Sequence, residues 1–365
     1  MKVIVKIGSS SLTTDAGAIN YHAIEKLCAE VAALHRDGHS PIIVTSGSIA
    51  AGLGPLGFDT GSRPRQKKVL RAASAVGQIS LMASYNQVLR ENGLVAAQVL
   101  LAPTDMWHRQ RYVNSRGTLE VLLAQGTVPV VNENDAVADD EIRFGDNDRL
   151  AALVAHLIDA DRLILLTDTP GLFTADPRVD ANASLIEEIV DFDHRLEAMA
   201  SGPGSTVGSG GMASKLAAAK IATWSGVETI IAQSDRGDVL VDAVAGVAGV
   251  GSVFRARRQR LSARKLWIAF ASPSEGSITV DSGARTALQS KPCSLLPAGV
   301  VRSVGSFGPD AAVEVKDESG EVFAKGLSRW SSQELNDYAG RQTADLPETV
   351  VDEVIHRDDL VAIPA

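Results

Sequence analysis

The chain has 365 residues, 45% of them hydrophobic and only 4% aromatic, and carries a formal net charge of −9. That length suggests two domains with cores filled by Ala, Val, Leu and Ile, and the acidic balance argues against a general nucleic-acid binder. Cys28 and Cys293 stand alone and the seven histidines show no HxH or HExxH spacing, so neither a zinc site nor a disulfide framework is implied. The apolar-rich run in residues 1–6 is too short for a signal peptide and no run of about 18 apolar residues exists, so the expectation is a cytoplasmic protein with no membrane contact.

In chain order, residues 2–7 read as a short β-branched strand ending at Gly8-Ser9-Ser10-Ser11. A helix over about 20–36 places Ile24, Leu27, Val31 and Leu34 on one face. Ile42-Ile43-Val44 is a buried-type strand that ends at Thr45-Ser46-Gly47-Ser48, followed by a long helix within 66–91 and a strand over 95–101. A helix over 111–125 is capped by Gly126, and the strand 128–131 ends in Asn132-Glu133-Asn134-Asp135. A helix opens near Asp146-Asn147-Asp148, and the strand 163–166 ends at Thr167-Asp168. A loop at 202–211, a helix over 212–224, a strand over 229–232 and a helix near 237–245 complete the region. This alternation predicts an α/β unit, a mainly parallel sheet covered by helices on both faces.

In such sheets the site lies beyond the carboxyl ends of the strands, and four of those ends are rich in glycine, hydroxyl, amide or carboxylate groups. Lys6 lies inside an apolar strand, where a lysine is rarely buried unless paired, and an anionic ligand would pair it. The run Gly208-Ser209-Gly210-Gly211-Met212-Ala213-Ser214-Lys215 leads straight into a helix. Free first-turn amides, the helix dipole and Lys215 together make an anion cradle suited to nucleotide phosphates. The Walker pattern fails because Ser214 precedes the lysine and Leu216 follows it. The dinucleotide pattern fits in letters but follows a loop where it needs a strand. Lysines, backbone amides and carboxylates without a His or Cys nucleophile suit phosphoryl transfer, and a carboxylate acceptor needs no general base. Asp135, Asp146 and Asp148 could hold an amino group, orient lysines or hold metal waters, and Asn134 and Asn147 could bond a substrate carboxylate or amine.

Val5-Lys6-Ile7-Gly8-Ser9-Ser10, Thr45-Ser46-Gly47-Ser48-Ile49-Ala50-Ala51-Gly52, Val131-Asn132-Glu133-Asn134-Asp135, Phe144-Gly145-Asp146-Asn147-Asp148 and residues 208–215 resemble the glutamate 5-kinases of the amino-acid kinase family. The resemblance spans nearly all of 1–255 and implies ATP-dependent phosphorylation of the γ-carboxylate of glutamate, the first step of proline biosynthesis, with aspartate or N-acetylglutamate as alternative acceptors. It implies that Lys6 binds the transferring phosphate, that Lys215 reaches the transition state and that Asp148 orients both lysines. Ser46, Asp135 and Asn147 would hold glutamate. ATP would meet Lys6, Gly8, Thr167, Asp168, Ser209, Gly210, Gly211, Met212, Ala213, Ser214 and Lys215, with Mg2+ carried by its phosphates. A homo-oligomer is expected, and the labile acyl phosphate product leads to the expectation of a functional link to glutamyl phosphate reductase.

Residues 256–264 read as a basic linker, with Arg257, Arg258, Arg260 and Arg264 as a solvated tether continuing from Arg255. Short strands divided by glycine-containing turns over 265–350 suggest a small β-barrel, and residues 276–284 with 294–300 are similar to a PUA domain. Residues 340–365, which include the C-terminal tail 351–365, are expected to be loosely ordered. PUA modules bind RNA in other proteins, but residues 261–365 carry 10 Lys and Arg against 15 Asp and Glu, a net of −5 that disfavours a phosphate backbone.

Overall fold

The computed structural model describes the chain apart from residues 15–17, 59–63, 103, 138–146, 176, 178, 181, 191, 193–195, 197–210, 259, 273, 348–349 and 364–365. It divides into two units, Met1–Arg260 and Leu261–Ala365. Among the described residues, the first unit is built on eight strands: β1 (Lys2–Ile7), β2 (Ser40–Val44), β3 (Ala96–Leu101), β4 (Val128–Glu133), β5 (Arg162–Thr167), β6 (Glu188–Ile189), β7 (Glu228–Gln233) and β8 (Gly251–Phe254). Their order across the sheet is β3-β4-β2-β1-β5-β7-β8-β6. The pairing is parallel throughout except for β7 with β8. All six predicted strands of this unit form. The two that sequence reading missed, β6 and β8, are short edge strands without a long apolar run to announce them.

Among the described residues, helices α1 (Ser9–Leu12), α2 (Tyr21–Arg36), α3 (Ser48–Leu53), α4 (Lys67–Glu91), α5 (Thr104–Trp107), α6 (Arg109–Ala124) and α7 (Asn147–Leu157) are followed by Met212–Trp224 and Val239–Ala245. Asn20 caps α2 by accepting from the Ala23 amide at 3.2 Å, and Ile24, Leu27, Val31 and Leu34 are buried as its periodicity requires. Successive residues of a strand point to opposite faces. Val3, Val5 and Ile7 of β1 join a core with α2, α4 and the Val239–Ala245 helix. Lys6 therefore projects to the other face, where α7 lies against β1 and the Met212–Trp224 helix.

Two glycines decide how α3 meets α4. A Cβ at Gly52 would lie 1.8 Å from the Ala73 carbonyl oxygen, and one at Gly77 would lie 1.9 Å from the Ser48 carbonyl oxygen. The helices thus cross backbone to backbone, a separation no side chain tolerates, and α4 brings the residues beside Gly77 up to the end of β2.

The second unit is a mixed sheet of β9 (Gly276–Val280), β10 (Val300–Gly305), β11 (Ala312–Lys316), β12 (Val322–Leu327) and β13 (Leu360–Ala362), in the order β10-β9-β11-β12-β13. The expected strands are present, and among the described residues they pair as a five-stranded mixed sheet. Asp310, in the turn before β11, takes a left-handed φ of 65°, a conformation Asp tolerates better than most residues. The expectation of a loose tail is corrected. β13 pairs with β12 and Val354, Ile355, Leu360 and Val361 are buried, apolar residues that the charges around them hid from a composition-based reading. The tether reading of the basic run also changes. Arg255 is paired with Glu188 at 2.5 Å and Glu228 at 2.6 Å, Arg257 lies 4.3 Å from the Trp224 ring centroid, and Arg260 meets Asp159 at 3.2 Å. These arginines are fastened to the first unit.

Candidate active site

The order β4-β2-β1-β5 sets four polar strand ends side by side, although they lie far apart in sequence. The chain adds β2 on one side of β1 and β5 on the other, so the crevice opens at a topological switch point. The first turn of α7 projects into it from above the sheet.

Asp148, fully buried, is the hub. Its Oδ1 lies 2.5 Å from Lys6 Nζ and its Oδ2 lies 3.2 Å from Lys215 Nζ. Ser214 Oγ donates to Oδ2 at 3.1 Å. Lys6 and Lys215 are only 2% and 4% exposed. The desolvation of ammonium groups this deep is large and is offset by the shared carboxylate. One carboxylate with two lysines sums to a charge of +1, the sign that receives a phosphate. A Cβ at Gly8 would rest 3.6 Å from Lys6 Nζ, so glycine keeps that side of the ammonium open. Gly211, Met212 and Ala213 start the helix that carries Lys215, with Gly211 at its N-cap. Thr167 ends β5 beside β1, and its Oγ1 donates to Asp168 Oδ1 at 3.0 Å. Ser209, Gly210 and Asp146 lie outside the described residues.

A second cluster starts one residue earlier on α7. Asn147 Nδ2 lies 2.5 Å from the Thr45 carbonyl, 2.8 Å from Asn132 Oδ1 and 3.0 Å from Ser46 Oγ. An amide nitrogen has two hydrogens, so the three acceptors share them and Ser46, the longest contact, is the one most readily given up. Asn132 Nδ2 in turn donates to Gln78 Oε1 at 2.8 Å and to Ser48 Oγ at 3.3 Å. Ser48 Oγ and Ser74 Oγ are 3.0 Å apart, and Ser74 donates to Asp135 Oδ2 at 2.7 Å. The φ of Gly47 is 101°, a left-handed value that turns β2 sharply into α3 and aims Ser46 and Ser48 at Asn147 and Asn132. Behind them, the buried Tyr85 hydroxyl meets Thr45 Oγ1 at 2.9 Å and steadies the strand end.

The site residues expected from sequence therefore fall into two adjoining groups. Lys6, Asp148 and Lys215 meet directly, and Ser46, Asn147 and Asp135 share one hydrogen-bonded cluster. Asn134 takes no side-chain part in it; its backbone amide bonds the Leu101 carbonyl at 2.8 Å. Ser74 and Gln78 were missed. They sit in the helical run Ala72-Ala73-Ser74-Ala75-Val76-Gly77-Gln78, where only the glycine hinted that something approaches closely. A separate cavity of about 380 Å3 opens beside Asp168, lined in part by Ser10, Ser11, Lys26, Glu30 and Ser234. Its lysine is engaged by Glu30 Oε1 at 2.9 Å and by the Ser234 and Arg236 carbonyls at 2.8 and 2.7 Å. That cavity lacks the paired lysines that mark the first site.

Comparison with known proteins shows the family of the chain. The pattern of the Amino acid kinase family matches residues 1–233, and that of the PUA domain matches residues 276–351. The chain is 44% identical over 367 aligned residues to the glutamate 5-kinase of Burkholderia mallei (strain SAVP1), covering 99% of this chain and 98% of that one. It is likewise 44% identical to the glutamate 5-kinase of Citrifermentans bemidjiense, over 99% of this chain and 97% of that one. Among solved structures, the UMP kinase of Ureaplasma parvum aligns with a TM-score of 0.47 at 16% identity, over 70% of this chain and 98% of that one.

Proposed function

The chain belongs to the glutamate 5-kinases of the amino-acid kinase family, with a C-terminal PUA domain, and we infer from this membership and from its site that it phosphorylates the γ-carboxylate of L-glutamate with ATP, the step that opens proline biosynthesis. The observation that supports this most is the pair Asn147-Asp148. Consecutive residues at the start of α7 face an amide- and carboxylate-lined pocket on one side and a two-lysine cradle on the other.

In this reading glutamate lies against Ser46, Asn147 and Asp135, the last meeting its ammonium group. A γ-carboxylate oxygen attacks the terminal phosphorus of ATP, a new O–P bond forms, and the bond to the bridging oxygen breaks as ADP leaves with the electron pair. The attacking oxygen is already ionised at neutral pH, so no base has to remove a proton. Catalysis is then positioning and charge neutralisation. Lys6 and Lys215 draw the equatorial charge, and the amides of residues 211–213 meet phosphate oxygens at the helix N-terminus. Asp148 holds both lysines. Gly8, Thr167, Asp168 and residues 209–215 are assigned to ATP. Mg2+ belongs with the ATP phosphates, because the carboxylate nearest the lysines already has one oxygen on Lys6 and the other on Lys215.

The labile acyl phosphate calls for a reductase to consume it, a functional link to glutamyl phosphate reductase. A homo-oligomer is part of this reading, and the exposed Ile79 on α4 and Val113 and Val121 on α6 are available to such a contact. No described helix is long and apolar enough to cross a membrane, and a cytoplasmic location fits the reaction. The net charge of −5 over residues 261–365 disfavours RNA as a partner of the second unit. An ATP-dependent hydroxamate assay with glutamate, aspartate and N-acetylglutamate in parallel tests the acceptor. Product from glutamate is expected, and robust product from either of the others without any from glutamate would overturn the assignment.

A further inference from the structure

The hydrogens of the acceptor-side cluster can be placed one by one. As a carboxylate, Asp135 only accepts, so the single hydrogen of Ser74 goes to its Oδ2 at 2.7 Å. Ser74 can then meet Ser48, 3.0 Å away, only as an acceptor, so Ser48 donates. With its own hydrogen used, Ser48 accepts from Asn132 Nδ2 at 3.3 Å. Asn132 Oδ1 accepts from Asn147 Nδ2 at 2.8 Å. Every bond runs in one direction, from Asn147 through Asn132, Ser48 and Ser74 to Asp135. Ser48, Ser74 and Asn132 are 3%, 5% and 2% exposed, so water does not compete for these hydrogens. Aligned donors in a low-dielectric interior polarise one another, and the final bond, to a charged acceptor, is the strongest kind.

We propose that Ser74 is a positioning residue for the acceptor substrate, acting through Asp135. It lies 61 positions before that carboxylate and is delivered by α4 through the close crossing at Gly52 and Gly77. By fixing Oδ2 it sets the plane of the carboxylate that receives the ammonium group of glutamate, and it joins that group to Asn147 on the other wall of the pocket. This rests on the reading that Asp135 binds glutamate.

Steady-state kinetics of Ser74→Ala, Asp135→Ala and the double variant, with glutamate varied at saturating MgATP, test the proposal. Ser74→Ala should raise the glutamate KM about 3- to 12-fold, as loss of one hydrogen bond of ordinary net worth, felt through Asp135, implies, with kcat and the ATP KM within about twofold. In the Asp135→Ala background the same change should add less than about twofold. Ser48→Ala, which removes the next link, should give a smaller rise of the same kind and serves if Ser74→Ala folds poorly. A glutamate KM left within twofold by Ser74→Ala, while Asp135→Ala raises it, would overturn the proposal. So would an equal effect with and without Asp135, or a parallel loss in kcat and both KM values. Asp135→Ala with an unchanged glutamate KM would instead overturn the placement of glutamate, and this inference with it.

Discussion

The roles proposed for Lys6 and Lys215 differ from those proposed for Ser46, Asp135 and Asn147 in when they act. Charges aimed at the transferring group matter most in the transition state, whereas groups that hold glutamate act equally before it. Lys6→Ala and Lys215→Ala are therefore expected to lower kcat by about 10²–10³-fold, the effect of losing one oxyanion donor, with little change in the glutamate KM. Ser46→Ala, Asp135→Ala and Asn147→Ala should raise that KM and leave kcat within a few-fold. Initial-rate measurements separate the two patterns. Asp148→Asn should combine a kcat loss with instability, because it leaves two lysines buried against a neutral amide. Removing one partner of a buried ion pair costs about 3–5 kcal/mol, which a urea melt would register. His156 offers a second residue-level test. Burial lowers its pKa to about 4, against about 6.5 in an unfolded chain. The unfolded state thus binds the extra proton between those values, so stability is full above pH 6.5 and falls as pH drops toward 4, by up to about 3 kcal/mol. Melting temperatures taken across that range should fall less steeply in His156→Gln.

At the scale of elements, the α3–α4 crossing carries the clearest prediction. In Gly77→Ala the new methyl would lie 1.9 Å from the Ser48 carbonyl, so the helices must part. Overpacking of this kind costs about 1–3 kcal/mol, and because Ser48 is bonded into the cluster proposed to hold glutamate the glutamate KM should rise with it. Much of this architecture was legible in advance. The Val- and Ile-rich strands declared themselves because a strand buried on both faces has no polar positions to confuse its reading. Lys6, Asp148 and Lys215 stood out because charge in an apolar or glycine-rich setting is costly without purpose. Ser74 and Gln78 did not, since a small polar residue in an amphipathic helix looks the same whether it faces water or a pocket; only the crossing partner decides. The closing strand β13 was hidden for a related reason. Its three residues depend on β12 to become a strand, and the charged positions around them weighed the composition toward a loose tail.

For the molecule as a whole, the division at Arg260 leaves every assigned catalytic and binding residue in the first unit. A version of the chain ending at Arg260 is expected to retain glutamate-dependent ATP turnover, measured as ADP release. A well-folded but inactive product, judged by circular dichroism, would place a needed group beyond that point. Removal of residues 354–365 should act on the second unit instead. It strips out Val354, Ile355, Leu360 and Val361, each buried, and burial of one such side chain is worth about 1.5–3 kcal/mol. Limited proteolysis should then cut the second unit early while leaving the first intact.

Asn147 and Asp148, which face the acceptor pocket and the lysine cradle, are neighbours in the chain, and their Cα atoms are held about 3.8 Å apart by one trans peptide. The spacing between the proposed anchors of acceptor and phosphate is therefore a covalent length. Packing can loosen, temperature can rise and the sheet can breathe without stretching it. Substitutions remote from the crevice should accordingly reduce how many molecules are folded, while each folded molecule turns over at its former rate once activity is normalised to the folded fraction.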